Sequence, residues 1–252
     1  MIETAVILAA GKGTRIRTSD ADVPKPLVRV GDVPLVTRTI LTLASAGVRR
    51  FVIVTGFMAE EVGATVMRDR RRLAPKLDIE LAFNADFERG NGLSVLVGGA
   101  RAGGSFLLSM ADHVYTPSIA RLVARQDLAA ADLYLATDPR VTGLGSVLDL
   151  DDATKVRSDA GRIVEIGKQL ADYDRIDCGV FAVTQALCRA LGELRDERGD
   201  CSLSDGVRRL AATGRARIAD IGEAVWQDVD TPADRAHAEA LLGVYDPLRD
   251  VG

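Results

Sequence analysis

Residues 4–15 read Thr-Ala-Val-Ile-Leu-Ala-Ala-Gly-Lys-Gly-Thr-Arg, an apolar run that passes directly into a glycine-rich loop. A short unbroken apolar run of this kind predicts a strand buried on both faces, here over residues 4–8. Similar runs alternate with helical patterns along the chain, which is the signature of a βαβ architecture. Residues 34–46 place Leu35, Val36, Ile40, Leu43 and Ala44 at helical spacing, and Gly47 ends the pattern. Strands are expected at 51–54, 79–83, 106–110 and 133–136, with helices at 60–73 and 93–102. The basic run at 68–72 complements the carboxyl end of its helix. Thr116 and Pro117 read as an N-cap and first helical residue. From 145 to 183 the pattern turns to strands, with Asp159-Ala160-Gly161 as a hairpin turn. Helices at 185–194 and 202–212, a strand pair within 216–229 and a helix at 231–242 complete the chain. No internal repeat or linker interrupts it, so residues 1–252 are expected to form one α/β domain.

Glycines at 11 and 13 allow backbone N–H groups to approach phosphate oxygens, and Arg15 can pair with phosphate in a bidentate way. Val23-Pro24-Lys25-Pro26-Leu27 then holds a lysine between two prolines, which fixes where its ammonium points. The loop lacks the third glycine of a dinucleotide fingerprint and the Gly-Lys-Ser/Thr close of a P-loop. Asp112 follows the apolar run 106–110, at the carboxyl edge where open α/β sheets bind ligands. A second acidic pair, Asp228 and Asp230, stands in Trp226-Gln227-Asp228-Val229-Asp230-Thr231-Pro232. Carboxylates combined with substrate phosphates are what Mg²⁺ prefers. Thr231 and Asp234 are explained as a helix cap, which leaves Asp228 without a local role. His113 is read as a polar neighbour of the acid. In 87–94, Asn91 offers a donor and an acceptor that could pair with a pyrimidine edge, although Asn and Gly are also turn residues.

With 32 basic and 36 acidic residues the chain has a net charge of -4, which argues against a nucleic-acid groove but not against a mononucleotide site. Cys178, Cys188 and Cys201 show no CxxC spacing, so reduced thiols of a cytoplasmic protein are expected. No basic leader precedes the first strand, and no apolar run approaches a bilayer span, so no membrane insertion is expected.

The segment Leu8-Ala9-Ala10-Gly11-Lys12-Gly13-Thr14-Arg15 followed by Pro24-Lys25-Pro26-Leu27 resembles the signature of the sugar-phosphate nucleotidylyltransferases. Four further segments extend the likeness along most of the chain. They are Gly90-Asn91-Gly92-Leu93-Ser94, Asp152-Ala153-Thr154-Lys155-Val156, Ile166-Gly167-Lys168 and Tyr173-Asp174-Arg175-Ile176-Asp177-Cys178-Gly179. Together with Ser202-Leu203-Ser204-Asp205, itself read as a capping box with Asp for Glu, they look like the CTP:inositol-1-phosphate cytidylyltransferases. That resemblance implies a GT-A-like, Rossmann-related fold with a mixed, mostly parallel central sheet flanked by helices. It implies a nucleotide-binding half at 1–115 and an acceptor-binding half at 116–252. Leu8, Ala9, Ala10, Gly11, Gly13, Thr14, Arg15, Asn91, Gly92, Ser94 and Asp112 would then meet the nucleotide. Arg15 and Lys25 would carry catalysis, and Asp112, Asp228 and Asp230 would hold Mg²⁺. Lys155 and Lys168 would bind the acceptor phosphate, with Asp177 and Gly179 bordering the ring. Ala111 stands where the family has glycine. The substrates implied are CTP, or another NTP, and inositol 1-phosphate or a similar cyclitol or sugar phosphate. Relatives carry a membrane-embedded phosphotransferase after this unit. The sequence stops at Gly252, so that step is expected on a separate protein, and a homodimer is entertained. The alternatives are another NTP with a hexose 1-phosphate or phosphoalcohol, a nucleotide binder without catalysis, and a glycosyltransferase.

Overall fold

The computed structural model describes residues 1–13, 23–141 and 149–244. The first strand, β1 (Thr4–Ala9), sends Ala5, Ile7 and Ala9 into one core and Val6 and Leu8 into another. Burial on both faces is why its sequence shows no polar alternation. Two short strands, β2 (Arg29–Val30) and β3 (Val33–Pro34), lead into α1 (Leu35–Ser45), and β4 (Arg50–Thr55), α2 (Ala59–Leu73), β5 (Asp78–Phe83), α3 (Asn91–Ala102) and β6 (Phe106–Met110) follow. A three-residue strand, β7 (His113–Tyr115), precedes α4 (Pro117–Ala124) and β8 (Leu133–Asp138). The remainder comprises β9 (Lys155–Asp159), β10 (Arg162–Gly167), β11 (Arg175–Val183), α5 (Gln185–Arg198), α6 (Leu203–Ala211), β12 (Ala216–Asp220), β13 (Trp226–Asp228) and α7 (Pro232–Val244).

Nine strands form one sheet in the order β5-β4-β1-β6-β11-β8-β12-β10-β9. The pairs β5/β4, β4/β1, β1/β6 and β12/β8 are parallel, and every pair involving β11 or β10 is antiparallel. Only those two strands run against the other seven, which gives the mixed sheet, with most strands pointing one way, that the family resemblance implied. The same sheet draws strands from both halves of the chain. One face is covered by α1, α2 and α4 through Val36, Ile40, Val62, Val66, Ile119 and Val123. The other is covered by α3, α5 and α6, with Leu93, Leu187, Leu191, Val207 and Leu210 inside. Ala238 and Leu242 of α7 pack with Val30, Leu35, Val114 and Val229 in a third, smaller cluster.

Among the described residues the expected elements form, with local differences; residues 145–148 of the expected strand region lie outside them. Residues 216–229 do contain two strands, but they do not pair with each other. β12 lies parallel to β8 in the main sheet, while β13 pairs antiparallel with β7. Spacing along the chain suggests a hairpin there, whereas each strand finds a partner distant in sequence. β7 itself has three residues, too few to show a period. Thr116 precedes Pro117 as expected, but its hydroxyl bonds Ser118 Oγ at 2.7 Å instead of capping the helix. The hairpin turn at Ala160 and Gly161 forms with positive φ at both residues, as a two-residue turn between twisted strands requires. The capping boxes hold too: Ser202 with Asp205, and Asp234 Oδ2 accepting from Thr231 N at 2.7 Å.

Candidate active site

Lys25, flanked by the two prolines of its motif, begins a single 3-10 turn, Lys25–Leu27. Its side chain runs inward and its Nζ donates to Asp112 Oδ2 at 2.6 Å and to Asp230 Oδ1, with Asp228 Oδ1 at 3.7 Å. These carboxylates arrive from two places. Asp112 leaves the carboxyl end of β6, and Asp228 ends β13 directly opposite His113 of β7. The β7–β13 ribbon is therefore the device that brings the late acid to the early one. His113 Nδ1 lies 2.8 Å from Asp112 Oδ1 and 3.9 Å from Asp228 Oδ1. Its ring stacks on Trp226 with centroids 5.8 Å apart and planes 8° from parallel.

The charges in this cluster are strongly coupled. Burial alone would lower the Lys25 ammonium, but Asp112, Asp228 and Asp230 outweigh it and hold its pKa above the usual value. Burial would raise Asp112, yet Lys25 and His113 keep it far below the ordinary carboxylate range. Asp228 goes the other way. Burial pushes it up, and repulsion from Asp112 and Asp230 adds to that against the pull of His113 and Lys25. Asp177, on β11, is raised to about 6 by burial, against the backbone N–H of Gly179 and the charge of His113.

Three carboxylates thus face Lys25 and His113, and a divalent cation would offset the negative charge that remains. Asp228 Oδ1 is buried and has no hydrogen-bond partner among the described residues. One ligand atom each from Asp112, His113 and Asp228 lie within 4.8 Å of one another. An all-oxygen share from the aspartates, completed by phosphate oxygens, suits a hard divalent ion, so the residues present fit such a cation.

Two cavities of about 220 Å³ each meet at this cluster, sharing Lys25, Asn91, Met110 and Asp112 in their walls. The first is lined by the loop residues Leu8, Ala9, Ala10 and Gly11 with Pro26, Phe87, Arg89 and Ser94. The second is lined by Lys168, Asp177, Gly179, Asp152, Ser204 and Trp226, among others. A group held in one cavity can therefore reach a group held in the other beside Lys25 and Asp112.

The sequence expectations divide accordingly. Leu8 to Gly11, Asn91, Ser94, Asp112, Lys168, Asp177, Gly179, Asp228 and Asp230 all line a cavity. Thr14 and Arg15 lie outside the described residues. Gly92 lines neither cavity; its N–H donates to the Cys201 carbonyl at 3.1 Å. Lys155 also stands outside the lining. It is buried, donates to the Lys168 carbonyl at 2.7 Å, and sits 5.7 Å above the Tyr173 ring. Asn91 does not keep both amide ends for a ligand, because its Oδ1 accepts from Leu203 N at 2.8 Å. Sequence reasoning did not single out Trp226, nor Asp152, which binds Lys168 Nζ at 2.6 Å. Trp226 is the only tryptophan of the chain, two residues before Asp228, and that was the available signal.

Gly13 behaves as a spacer instead of a lining residue. It has φ +59°, and a Cβ there would lie 2.2 Å from Lys25 Cβ. Gly13→Ala is expected to displace Lys25 and cut turnover at least tenfold, roughly, because small misplacements at a reacting centre are costly. Steady-state kinetics beside a melting curve check it; unchanged turnover would mean that Lys25 is not held from this side.

The MobA-like NTP transferase domain family matches residues 5–204. The chain belongs to this family. As a MobA-like nucleotidyltransferase it shares 37% identity with a protein named bifunctional IPC transferase and DIPP synthase from Rubrobacter xylanophilus, over 95% of this chain and 52% of that one. A protein of the same name from Aquifex aeolicus is 31% identical over 100% of this chain and 54% of its own length. The chain thus spans about half the length of these curated relatives. Among solved structures, the inositol-1-phosphate CTP transferase from T. maritima superposes with a TM-score of 0.86 at 28% identity, covering 100% of this chain and 98% of that one. A UDP-glucose pyrophosphorylase complexed with UDP-glucose shares the fold, with a TM-score of 0.80 at 18% identity, over 97% and 99% of the two chains. No helix among the described residues is long and apolar enough to cross a membrane.

Proposed function

We propose that this nucleotidyltransferase joins the CMP unit of CTP to inositol 1-phosphate and releases pyrophosphate. The observation that carries the reading is the junction of the two cavities at Lys25 and Asp112, in a chain similar from end to end to an inositol-1-phosphate CTP transferase. In this reading, the first cavity takes the nucleotide and the second takes the cyclitol phosphate. A phosphate oxygen of the acceptor attacks the α-phosphorus in line; the new P–O bond forms as the bond to the β-phosphate oxygen breaks. The phosphate dianion is already a nucleophile, so the residues supply positioning and charge stabilisation.

Lys25 stabilises the charge that builds on the phosphoryl oxygens, and Arg15 is assigned the same role from its motif. Asp112 and Asp228, with Asp230 beside them, would hold Mg²⁺, which when bound neutralises phosphate charge and polarises the phosphorus. Leu8 to Gly11 and Ser94 line the nucleotide cavity, and Asn91 turns its amide nitrogen to the base. Lys168 exchanges Asp152 for the acceptor phosphate, while Asp177 and Gly179 border the ring. Lys155 supports Lys168 through its carbonyl. The proposal includes one catalytic domain, a cytoplasmic location and a homodimer. Cell fractionation and light scattering test the location and the dimer.

Pyrophosphate release with Mg²⁺, four NTPs, and inositol 1-phosphate or glucose 1-phosphate is the deciding assay. Turnover confined to CTP with inositol 1-phosphate is expected. Activity with another pair would keep the site and refute the substrates. Nucleotide binding without release for any acceptor would refute the enzyme.

A further inference from the structure

The nucleotide-side loop and the acceptor-side lysine are tied to the same stretch of chain, Asp200 to Arg208. At one end, Gly90 N donates to both carboxylate oxygens of Asp200, at 3.0 and 3.2 Å. Gly92 N donates to the Cys201 carbonyl at 3.1 Å, and Leu203 N donates to Asn91 Oδ1 at 2.8 Å. The approach is so close that a Cβ at Gly90 would lie 2.2 Å from the Cys201 carbonyl oxygen, and one at Gly92 2.7 Å from it. Two glycines around Asn91 are therefore needed for contact with Asp200 and Cys201, just before α6, beyond any need of the turn itself. In the middle, the capping box of Ser202 and Asp205 starts α6 rigidly. At the other end, Arg208 binds Asp205 Oδ1 at 2.6 Å and donates to the Ile166 carbonyl at 2.7 Å. Ile166 lies near the end of β10, two residues before Lys168, which follows the strand directly. Leu203 and Ser204, between these anchor points, line the acceptor cavity.

We infer that the Asp200–Arg208 segment is a bracket that sets the spacing of the two subsites and couples their occupancy, with Asp200 and Arg208 as positioning residues. The inference rests on the assignment of the two cavities to nucleotide and acceptor. A helix capped at its start and packed against Leu187 and Leu191 transmits a shift at one end to the other, because such packing has few soft modes. Binding that orders the Asn91 loop then lowers the cost of ordering Lys168, and the effect is reciprocal.

The test uses Asp200→Ala, Asp200→Asn and Arg208→Gln in the full chain. Asp200→Ala is expected to raise the KM for CTP roughly tenfold, the loss of a charge-assisted hydrogen bond. Asp200→Asn, which keeps one acceptor oxygen, should recover most of that. Arg208→Gln should raise the KM for inositol 1-phosphate while kcat stays within about twofold. The decisive readout is hydrogen exchange at the other end of the bracket. Arg208→Gln should speed exchange in 86–94, and CTP should slow it in 164–170 of the wild type but not of Asp200→Ala. Exchange changes confined to the mutated end, with wild-type melting temperatures, would overturn the coupling. A wild type silent with CTP and inositol 1-phosphate would sink the substrate reading alone, since exchange on the apo variants still judges the bracket.

Discussion

Lys25→Met is expected to reduce turnover by about 10²–10³, the scale of losing one preorganised charge contact at a transition state. The same change leaves Asp112, Asp228 and Asp230 facing one another without the ammonium that now lies among them. Removing one member of a buried charge cluster costs on the order of 3 kcal/mol. Stability should then lean on an added cation. Mg²⁺ is expected to raise the melting temperature of Lys25→Met more than that of the wild type, and EDTA to lower it more. Thermal melts with and without Mg²⁺ measure both shifts. Equal responses in the two proteins would show that the three carboxylates do not form the cation site.

Asp138→Ala should cost about 2 kcal/mol of stability, by leaving the buried Trp226 Nε1 without its acceptor and the partly buried Arg140 without its carboxylate. Asp138 is fully buried and accepts from Arg140 N, Nε and a terminal guanidinium nitrogen at 2.9, 2.8 and 2.7 Å. It also accepts from Trp226 Nε1 at 2.8 Å, and Trp226 is the plate on which His113 stacks. Loss of Asp138 therefore loosens the wall of the cavity that Trp226 lines as well. The pH dependence has a definite direction. Burial would raise the Asp138 carboxyl, but the Arg140 and Trp226 bonds outweigh it and depress its pKa. Its contribution is accordingly complete above the unfolded value, near pH 4 by the usual range for aspartate, and is lost as pH falls through the lower folded value. Urea titrations of wild type and Asp138→Ala at neutral and acidic pH should show a stability gap that narrows in acid. A gap constant to the lowest pH at which both fold would remove the charged Asp138 from this account.

Lys155 shows how much of a side chain's setting its residue type leaves open. A lysine on a strand in the second half of the chain is chemically suited to phosphate, and the family likeness pointed there. Its ammonium instead turns to the Lys168 carbonyl and the Tyr173 ring, a choice made by the β9–β10 hairpin register that brings Lys155 opposite Gly167. Asn91 is a similar case. Its amide is suited to a base edge, but its oxygen is taken by a backbone N–H from α6, which nothing near Asn91 in the sequence announces.

What the sequence by itself determined is whatever depends on a few neighbouring residues. The burial of β1 on both faces follows from its unbroken apolar run, and the 3-10 turn around Lys25 from its flanking prolines. The starts of α6 and α7 follow from cap residues three apart, and the turn before β10 from Ala160-Gly161. Sterics and local hydrogen bonds act within about one helical turn, so they are legible along the chain. Only the tertiary structure decided that Asp228 pairs across a ribbon with His113, that Asp138 lies beneath Trp226, and that Asp200 grips the loop of Asn91. Those contacts join segments far apart in sequence, and their geometry is set by strand register and helix packing, in which one residue of slip would turn each side chain to the opposite face.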